Sequence, residues 1–280
     1  MKAVSLQTSD GFELSGHLFE PENPNGKIVV VNSATGVKQQ IYFAFSEYLA
    51  QFGYTVITYD YRGIGKSKPE KLKGFQASMR IWGTQDFKAV TDYIQYHFPH
   101  YKKYAVGHSV GALILGMNKD SQKFEKFIFV GTQKAFVGHL NVQTKALAYL
   151  GFGVLQPVIT RIFGYFPAQY FGLGESLPSG SAKDWRTLIL NKKSTNKLLE
   201  KINEEYSRIL NQEVLVIRAE DDTWLTDKGV KKLMSETYPA MKPEYRLMRT
   251  VESKKRTIGH VNFFRSYNRD LWKVIADFIS

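Results

Sequence analysis

Gly107-His108-Ser109-Val110-Gly111 follows a short apolar segment, Tyr104-Ala105-Val106, and runs directly into Ala112-Leu113-Ile114-Leu115. An apolar strand that turns at once into a helix forces its turn residue into a strained backbone, with the side chain held clear of the sheet. The flanking glycines suit such a turn because a Cβ at either position would collide with the neighbouring strand and helix. Ser109 is therefore read as a presented nucleophile rather than one residue of an ordinary glycine-rich turn.

Outward from this turn, apolar strand-like runs alternate with helical patterns, as in a mostly parallel sheet covered on both faces. Ile28-Val29-Val30-Val31 and Tyr54-Thr55-Val56-Ile57-Thr58-Tyr59 are buried-strand runs before the turn. Phe127-Ile128-Phe129-Val130, Val214-Leu215-Val216-Ile217 and Tyr245-Arg246-Leu247-Met248 follow it. Helical spacing of Phe43, Phe45, Tyr48 and Leu49 ends at Gly53, and Phe87, Val90, Tyr93 and Ile94 mark a helix over 82–98. A closing helix is expected over 261–279. At the other end, Asp10-Gly11 stands between two alternating runs and reads as a hairpin turn.

The alternation breaks over 134–211, which has three prolines, many aromatics and no β-branched run bounded like a strand. It is expected to be a helical insertion capping one edge of a single domain spanning 1–280. Phe152, Phe163, Tyr165, Phe166, Tyr170 and Phe171 are assigned to the packing of that cap ahead of ligand contact.

The chain of 280 residues is 43% hydrophobic and 14% aromatic, enough for a sizeable ordered core. It contains no cysteine, which excludes disulfides, thiolate metal sites and a cysteine nucleophile. The start of the chain lacks the charged-then-apolar pattern of a secretion signal. The longest nearly uncharged stretch, 148–174, is broken by Pro157, Arg161, Pro167 and several glycines, so no integral membrane segment and a cytoplasmic location are expected. The net charge of +12 comes from lysines spread along the chain, with only Lys254-Lys255-Arg256 tightly clustered. Without a nucleic-acid motif this reads as a basic solvated surface, and no nucleic-acid partner is expected.

A serine hydroxyl needs a base, normally a histidine held by a carboxylate, and on this topology the chain order is serine, acid, histidine. His17, His97, His100 and His108 precede the serine, and His139 precedes the late acids. His260, in Ile258-Gly259-His260-Val261-Asn262, comes after the last strand and is the candidate base. The acid is sought after Val214–Ile217, where Glu220-Asp221-Asp222 stand together; Gly131-Thr132-Gln133-Lys134 offers none. Asp222 is favoured, three residues after the small Ala219, with Asp221 as the fallback. The oxyanion of a tetrahedral intermediate calls for two backbone amides. Val110 should supply one, and the loop Asn32-Ser33-Ala34-Thr35-Gly36 the other, with Ala34 favoured and Thr35 next.

Gly63-Ile64-Gly65-Lys66-Ser67 ends like a phosphate-binding loop, but Asp60 stands where that loop requires its first glycine. The phosphate reading fails.

Taken together, these landmarks resemble the α/β-hydrolase superfamily over nearly the whole chain. Asp60-Tyr61-Arg62-Gly63-Ile64-Gly65-Lys66-Ser67 looks like that family's Asp-x-Arg-Gly-x-Gly-x-Ser turn, and the elbow, the late acid and Gly259-His260 follow in family order. Within it the chain resembles the serine-aminopeptidase and monoglyceride-lipase-like branch. Ala34-Thr35-Gly36-Val37 and Gly164-Tyr165-Phe166-Pro167 are similar to a group of bacterial hydrolases of unsettled substrate. The resemblance implies an eight-stranded sheet and serine-hydrolase chemistry with no cofactor and no metal. Two departures stand out: Asn32-Ser33 replaces the usual His-Gly, and Ala112 follows the elbow where many relatives have glycine.

The expected function is hydrolysis of carboxylic esters, ahead of amides, with apolar acyl or aryl groups suggested by the aromatic insertion. Acyl transfer on the same triad and non-catalytic ligand binding are the alternatives. Sequence leaves the substrate and oligomeric state open.

Overall fold

The structure, a computed structural model, describes residues 1–140 and 142–280. Eight strands form one sheet: β1 (Lys2–Gln7), β2 (Glu13–Phe19), β3 (Lys27–Asn32), β4 (Thr55–Tyr59), β5 (Lys102–His108), β6 (Lys126–Val130), β7 (Glu213–Ala219) and β8 (Lys242–Met248). Their order is β1-β2-β4-β3-β5-β6-β7-β8. β1, β2 and β4 pair antiparallel, and every pairing from β4 through β3 to β8 is parallel. This is the α/β-hydrolase sheet, with the antiparallel hairpin on one edge.

The central strands are apolar on both faces because both are covered. Ile28, Val30, Ala105, Phe127, Phe129, Val214 and Val216 point into one core. Val29, Val31, Val106, Ile128 and Leu215 point into the other. β8 differs: all but Met248 of its residues are exposed, and it carries Pro243. An edge strand tolerates both features, since it pairs on one side only. That pairing begins at Lys242, earlier than the apolar pattern suggested.

Two helices depart from expectation. The run 79–97 is interrupted by π-helical turns at Trp82–Asp86. There the Trp82 indole donates to the Arg62 carbonyl at 3.1 Å, and Asp86 meets the Arg62 guanidinium. The closing segment is mostly 3-10 turns, with α-helix only at Lys273–Ile279. Side chains take the carbonyls a continuous helix would use: Asn268 Nδ2 donates to Asn262 O at 2.8 Å and Trp272 Nε1 to Phe263 O at 2.6 Å.

Between β6 and β7 the chain is mainly helical. A continuous helix over Val142–Phe163 has π-helical turns at Tyr149–Leu155. It is followed by helices Ser179–Leu190 and Thr195–Leu199. A two-residue ladder, Tyr165–Phe166 against Leu177–Pro178, is the one β element among the described residues of a segment expected to have none. Pro157 and the glycines of 148–174 do not break the long helix as the sequence suggested. The widened π turns directly before Pro157 relieve the clash between its ring and the preceding turn.

The Gly63–Ser67 loop wraps the protein's own carboxylates. Lys66 N donates to Asp60 Oδ2 at 3.0 Å, and Gly65 N to Glu175 Oε2 at 2.8 Å. A Cβ on Gly65 would lie 2.4 Å from the Asp60 carboxyl, which is why glycine stands there.

Candidate active site

Ser109 sits between β5 and the short elbow helix Val110–Leu113, with φ 53° and ψ −116°. This backbone is rare for a residue with a side chain and persists because its surroundings enforce it. Ser109 N donates to Val130 O at 2.9 Å, and Thr132 Oγ1 to Ser109 O at 2.9 Å. The flanking glycines do what steric reasoning required of them. A Cβ on Gly107 would lie 2.5 Å from Ala112 in the helix, and one on Gly111 2.2 Å from Asn32 O at the end of β3. Asn32 fits the same seam: its Nδ2 donates to Gly111 O at 3.2 Å, and its Oδ1 accepts from the Tyr59 hydroxyl at 2.9 Å.

His260 lies on the loop after β8, and its Nδ1 is 2.8 Å from Asp222 Oδ2. The Asp222 side chain is 1% exposed and its Oδ1 accepts from Trp224 N at 2.9 Å. Asp221 turns the other way. Its carboxylate accepts from Ile258 N at 2.9 Å and Gly259 N at 2.8 Å, bracing the loop that carries His260. Burial acts to raise the Asp221 pKa, but those two amides, with its own N–H and the Thr257 hydroxyl, together hold it below the ordinary carboxylate range. The two neighbouring aspartates thus have separate structural tasks.

His108, set aside as a base by its position, links two parts of the site. Its Nε2 is 2.8 Å from the His260 carbonyl oxygen, and its Nδ1 is 2.7 Å from the Tyr42 hydroxyl. A carbonyl can only accept, so Nε2 carries the proton and donates. Burial, followed by the nearby His260, drives the His108 pKa well below that of a free imidazole, so the ring is neutral and Nδ1 accepts from Tyr42. Burial also raises the Tyr42 pKa and keeps its phenol protonated. The Tyr42 oxygen in turn accepts from Ala34 N at 2.9 Å.

That last bond corrects the oxyanion assignment. The Ala34 amide is engaged by Tyr42 and is not free to meet a substrate. Among the described residues no protein partner takes the amides of Thr35 or Val110, and both residues line the same cavity as Ser109. The loop is held from outside as well, since Glu175 N donates to Gly36 O at 2.8 Å.

Ser109 and His260 open into one cavity of about 1300 Å³. One wall is an aromatic file that the sequence reading did not single out. Trp224 lies 6.2 Å from the His260 ring and 6.4 Å from Trp185, which meets Phe152 at 5.1 Å. Trp224 was within reach of sequence reasoning, two residues after the favoured acid. Trp185 was not, because nothing in its helix separates a cavity-facing indole from a core one. Leu140, Leu147, Leu188 and Ile189 extend the apolar lining, and Lys38 and Glu175, 3.2 Å apart, form its polar edge. Of the aromatics assigned to cap packing, Phe166 is buried and Phe152 lines the cavity, whereas Phe163, Tyr170 and Phe171 are exposed.

An α/β-hydrolase sheet with a strained serine at its elbow, facing one cavity with an aspartate-paired histidine, defines a serine-hydrolase type of enzyme. The chain belongs to the serine aminopeptidase S33 family, whose model matches residues 23–164, just over half its length. Solved structures agree on the fold. An alpha-beta serine hydrolase homologue from Coxiella burnetii is 13% identical with a TM-score of 0.58, over 100% of this chain and 97% of that one. The Pyrococcus furiosus esterase Pf2001 is 15% identical with a TM-score of 0.63, over 99% and 90%. Est1E from Butyrivibrio proteoclasticus, solved with ferulic acid bound, is 15% identical with a TM-score of 0.62, over 99% and 98%. The comparison with curated proteins gave no match.

Proposed function

We propose that the protein hydrolyses carboxylic esters, in preference to amides, of apolar acyl or aryl groups through Ser109, His260 and Asp222. The observation that carries this reading is the 2.8 Å Asp222–His260 pair, with His260 on the lining of the same largely apolar cavity as Ser109. The Ser109 hydroxyl attacks the ester carbonyl carbon while His260 Nε2 takes its proton, and Asp222 orients the ring and stabilises the imidazolium. The amides of Val110 and Thr35 receive the oxyanion. Collapse expels the alcohol, which takes the proton from His260. Water, deprotonated by the same nitrogen, then attacks the acyl-enzyme, and its collapse breaks the bond to Ser109 Oγ, which takes the proton back from His260 as the acid leaves.

In this reading residues 1–280 form one domain and 134–211 serve as its cap, supplying Phe152, Trp185 and Leu188 to the acyl or aryl pocket. Ferulic acid in the Est1E structure is an aryl acid of the size such a pocket could take. A cytoplasmic location, absence of a nucleic-acid partner and lack of any need for a cofactor belong to the same proposal.

The test is labelling of the purified protein by a fluorophosphonate probe, followed by turnover of p-nitrophenyl esters of increasing chain length. Labelling that vanishes in Ser109→Ala and collapses in His260→Ala, with esters turned over, is expected. Persistence of turnover in Ser109→Ala would remove Ser109 from the mechanism. Product analysis with added alcohols distinguishes hydrolysis from acyl transfer.

A further inference from the structure

The long helix Val142–Phe163 packs one side against the protein and leaves an apolar stripe on the other. Its inner stripe, at every fourth residue, is Ala148, Phe152, Gln156 and Thr160. The first two line the cavity and the last two are buried. The outer stripe, Leu150, Val154, Val158 and Ile162, has the same spacing, is turned to the opposite face, and is 52–68% exposed. Phe163 at the helix end is exposed, as are Tyr170 and Phe171 in the turn that follows, and Leu147, 69% exposed, belongs to both the outer surface and the cavity lining.

A contiguous apolar surface of this kind marks a docking face. By length and composition the helix could cross a bilayer, since it has 22 residues and an 18-residue window of mean hydropathy 1.4. Its inner stripe argues against that. Gln156 Nε2 donates to Ala182 O at 2.6 Å and Arg186 Nε to Phe152 O at 2.9 Å, which ties the helix lengthwise to its neighbour Ser179–Leu190.

The charges select the occupant. The helix has no acidic residue and carries Lys145 and Arg161, and exposed Lys183 and Arg186 stand on the adjoining helix. The acids nearby in sequence are already paired, Glu175 with Lys38 and Asp184 with Arg80. A second copy, with its own net charge of +12, would set one basic face against another. An anionic lipid surface accepts both the apolar stripe and the basic flank.

We propose that helix Val142–Phe163 lies flat on an anionic lipid surface, with Leu150, Val154, Val158 and Ile162 dipping into the acyl boundary. The cavity then opens beside the lipid at Leu147. This docking does not depend on the esterase reading, and its test requires no turnover.

The experiment is co-sedimentation of the full chain with vesicles of phosphatidylcholine alone and of phosphatidylcholine mixed with phosphatidylserine, at low and high salt. Binding to the mixed vesicles, weakened by salt, is expected. Val154→Ser/Val158→Ser, which alters exposed side chains outside the cavity lining, should weaken it by roughly tenfold or more. Arg161→Glu should weaken binding to the mixed vesicles while leaving any residual binding to phosphatidylcholine alone unchanged. Equal binding by Val154→Ser/Val158→Ser and wild type, or no binding of wild type to either vesicle, overturns the proposal. So does a solution dimer that this double variant converts to monomer, since a second copy would then cover the stripe.

Discussion

His108 Nε2 donates to the carbonyl oxygen of His260 at 2.8 Å, so the histidine beside the elbow serine holds the backbone of the histidine that pairs with Asp222. Through Tyr42 the same ring reaches the Ala34 amide. One buried relay therefore positions the loop of the base and the loop of the oxyanion donors together.

Tyr42→Phe tests that relay. It strips Ala34 N of its acceptor and His108 Nδ1 of its donor, leaving buried polar groups unpaired at a cost of about 1–3 kcal/mol. A fall in kcat of roughly tenfold with KM nearly unchanged is expected, a fraction of what removing an oxyanion donor outright costs. Ester kinetics together with urea unfolding read both effects.

Asp222→Asn and Asp221→Asn should separate cleanly. The first leaves the His260 ring without its orienting carboxylate and should lower kcat by about 10⁴-fold with little change in stability. The second weakens the brace on Ile258 and Gly259, so its main effect should be a stability loss of about 1–2 kcal/mol with most activity retained. Reversal of the two phenotypes would exchange the roles.

Stability against pH should show two opposing titrations. Neutral His108 has a folded pKa far below its unfolded value, so the unfolded chain gains the proton and stability falls as pH drops below about 6.5. Asp86 is the reverse: burial raises it to about 6, so on acidification from that point the folded state takes up a proton before the unfolded chain does. That uptake adds stability until the unfolded carboxylate also titrates near about 4. Asp86→Asn should therefore steepen the acid-side loss by up to about 1.4 kcal/mol per pH unit between these limits. Thermal unfolding midpoints of the two proteins across this window check it.

Trp224→Ala should remove part of the cavity wall while leaving intact the backbone amide that holds Asp222. Loss of about 1–3 kcal/mol in kcat/KM for long-chain or aryl esters is expected, with acetyl esters nearly unaffected. A uniform loss across chain lengths would place the indole in loop support rather than substrate contact.

Much of the fold was legible because its causes are short-range. A β-branched run such as Ile28–Val31 suits a strand buried on both faces, and the elbow glycines answer to atoms within a few residues or on the adjacent strand. The length of helix Val142–Phe163 was not legible, for the opposite reason. Pro157 looks like a break, but the π-helical turns that precede it absorb the ring, and a widened turn leaves no mark in the residue pattern.

The sequence by itself determined the strand succession, the nucleophile turn and the order of Ser109, a late acid and His260, because these follow from local sterics, periodicity and chain order. Tertiary structure decided which aspartate meets His260, that Tyr42 takes the Ala34 amide, and that Leu150, Val154, Val158 and Ile162 face outward. Each depends on where groups from distant segments arrive. A residue's type states what it can bond or bury against, and only the assembled fold supplies the partner or leaves it exposed.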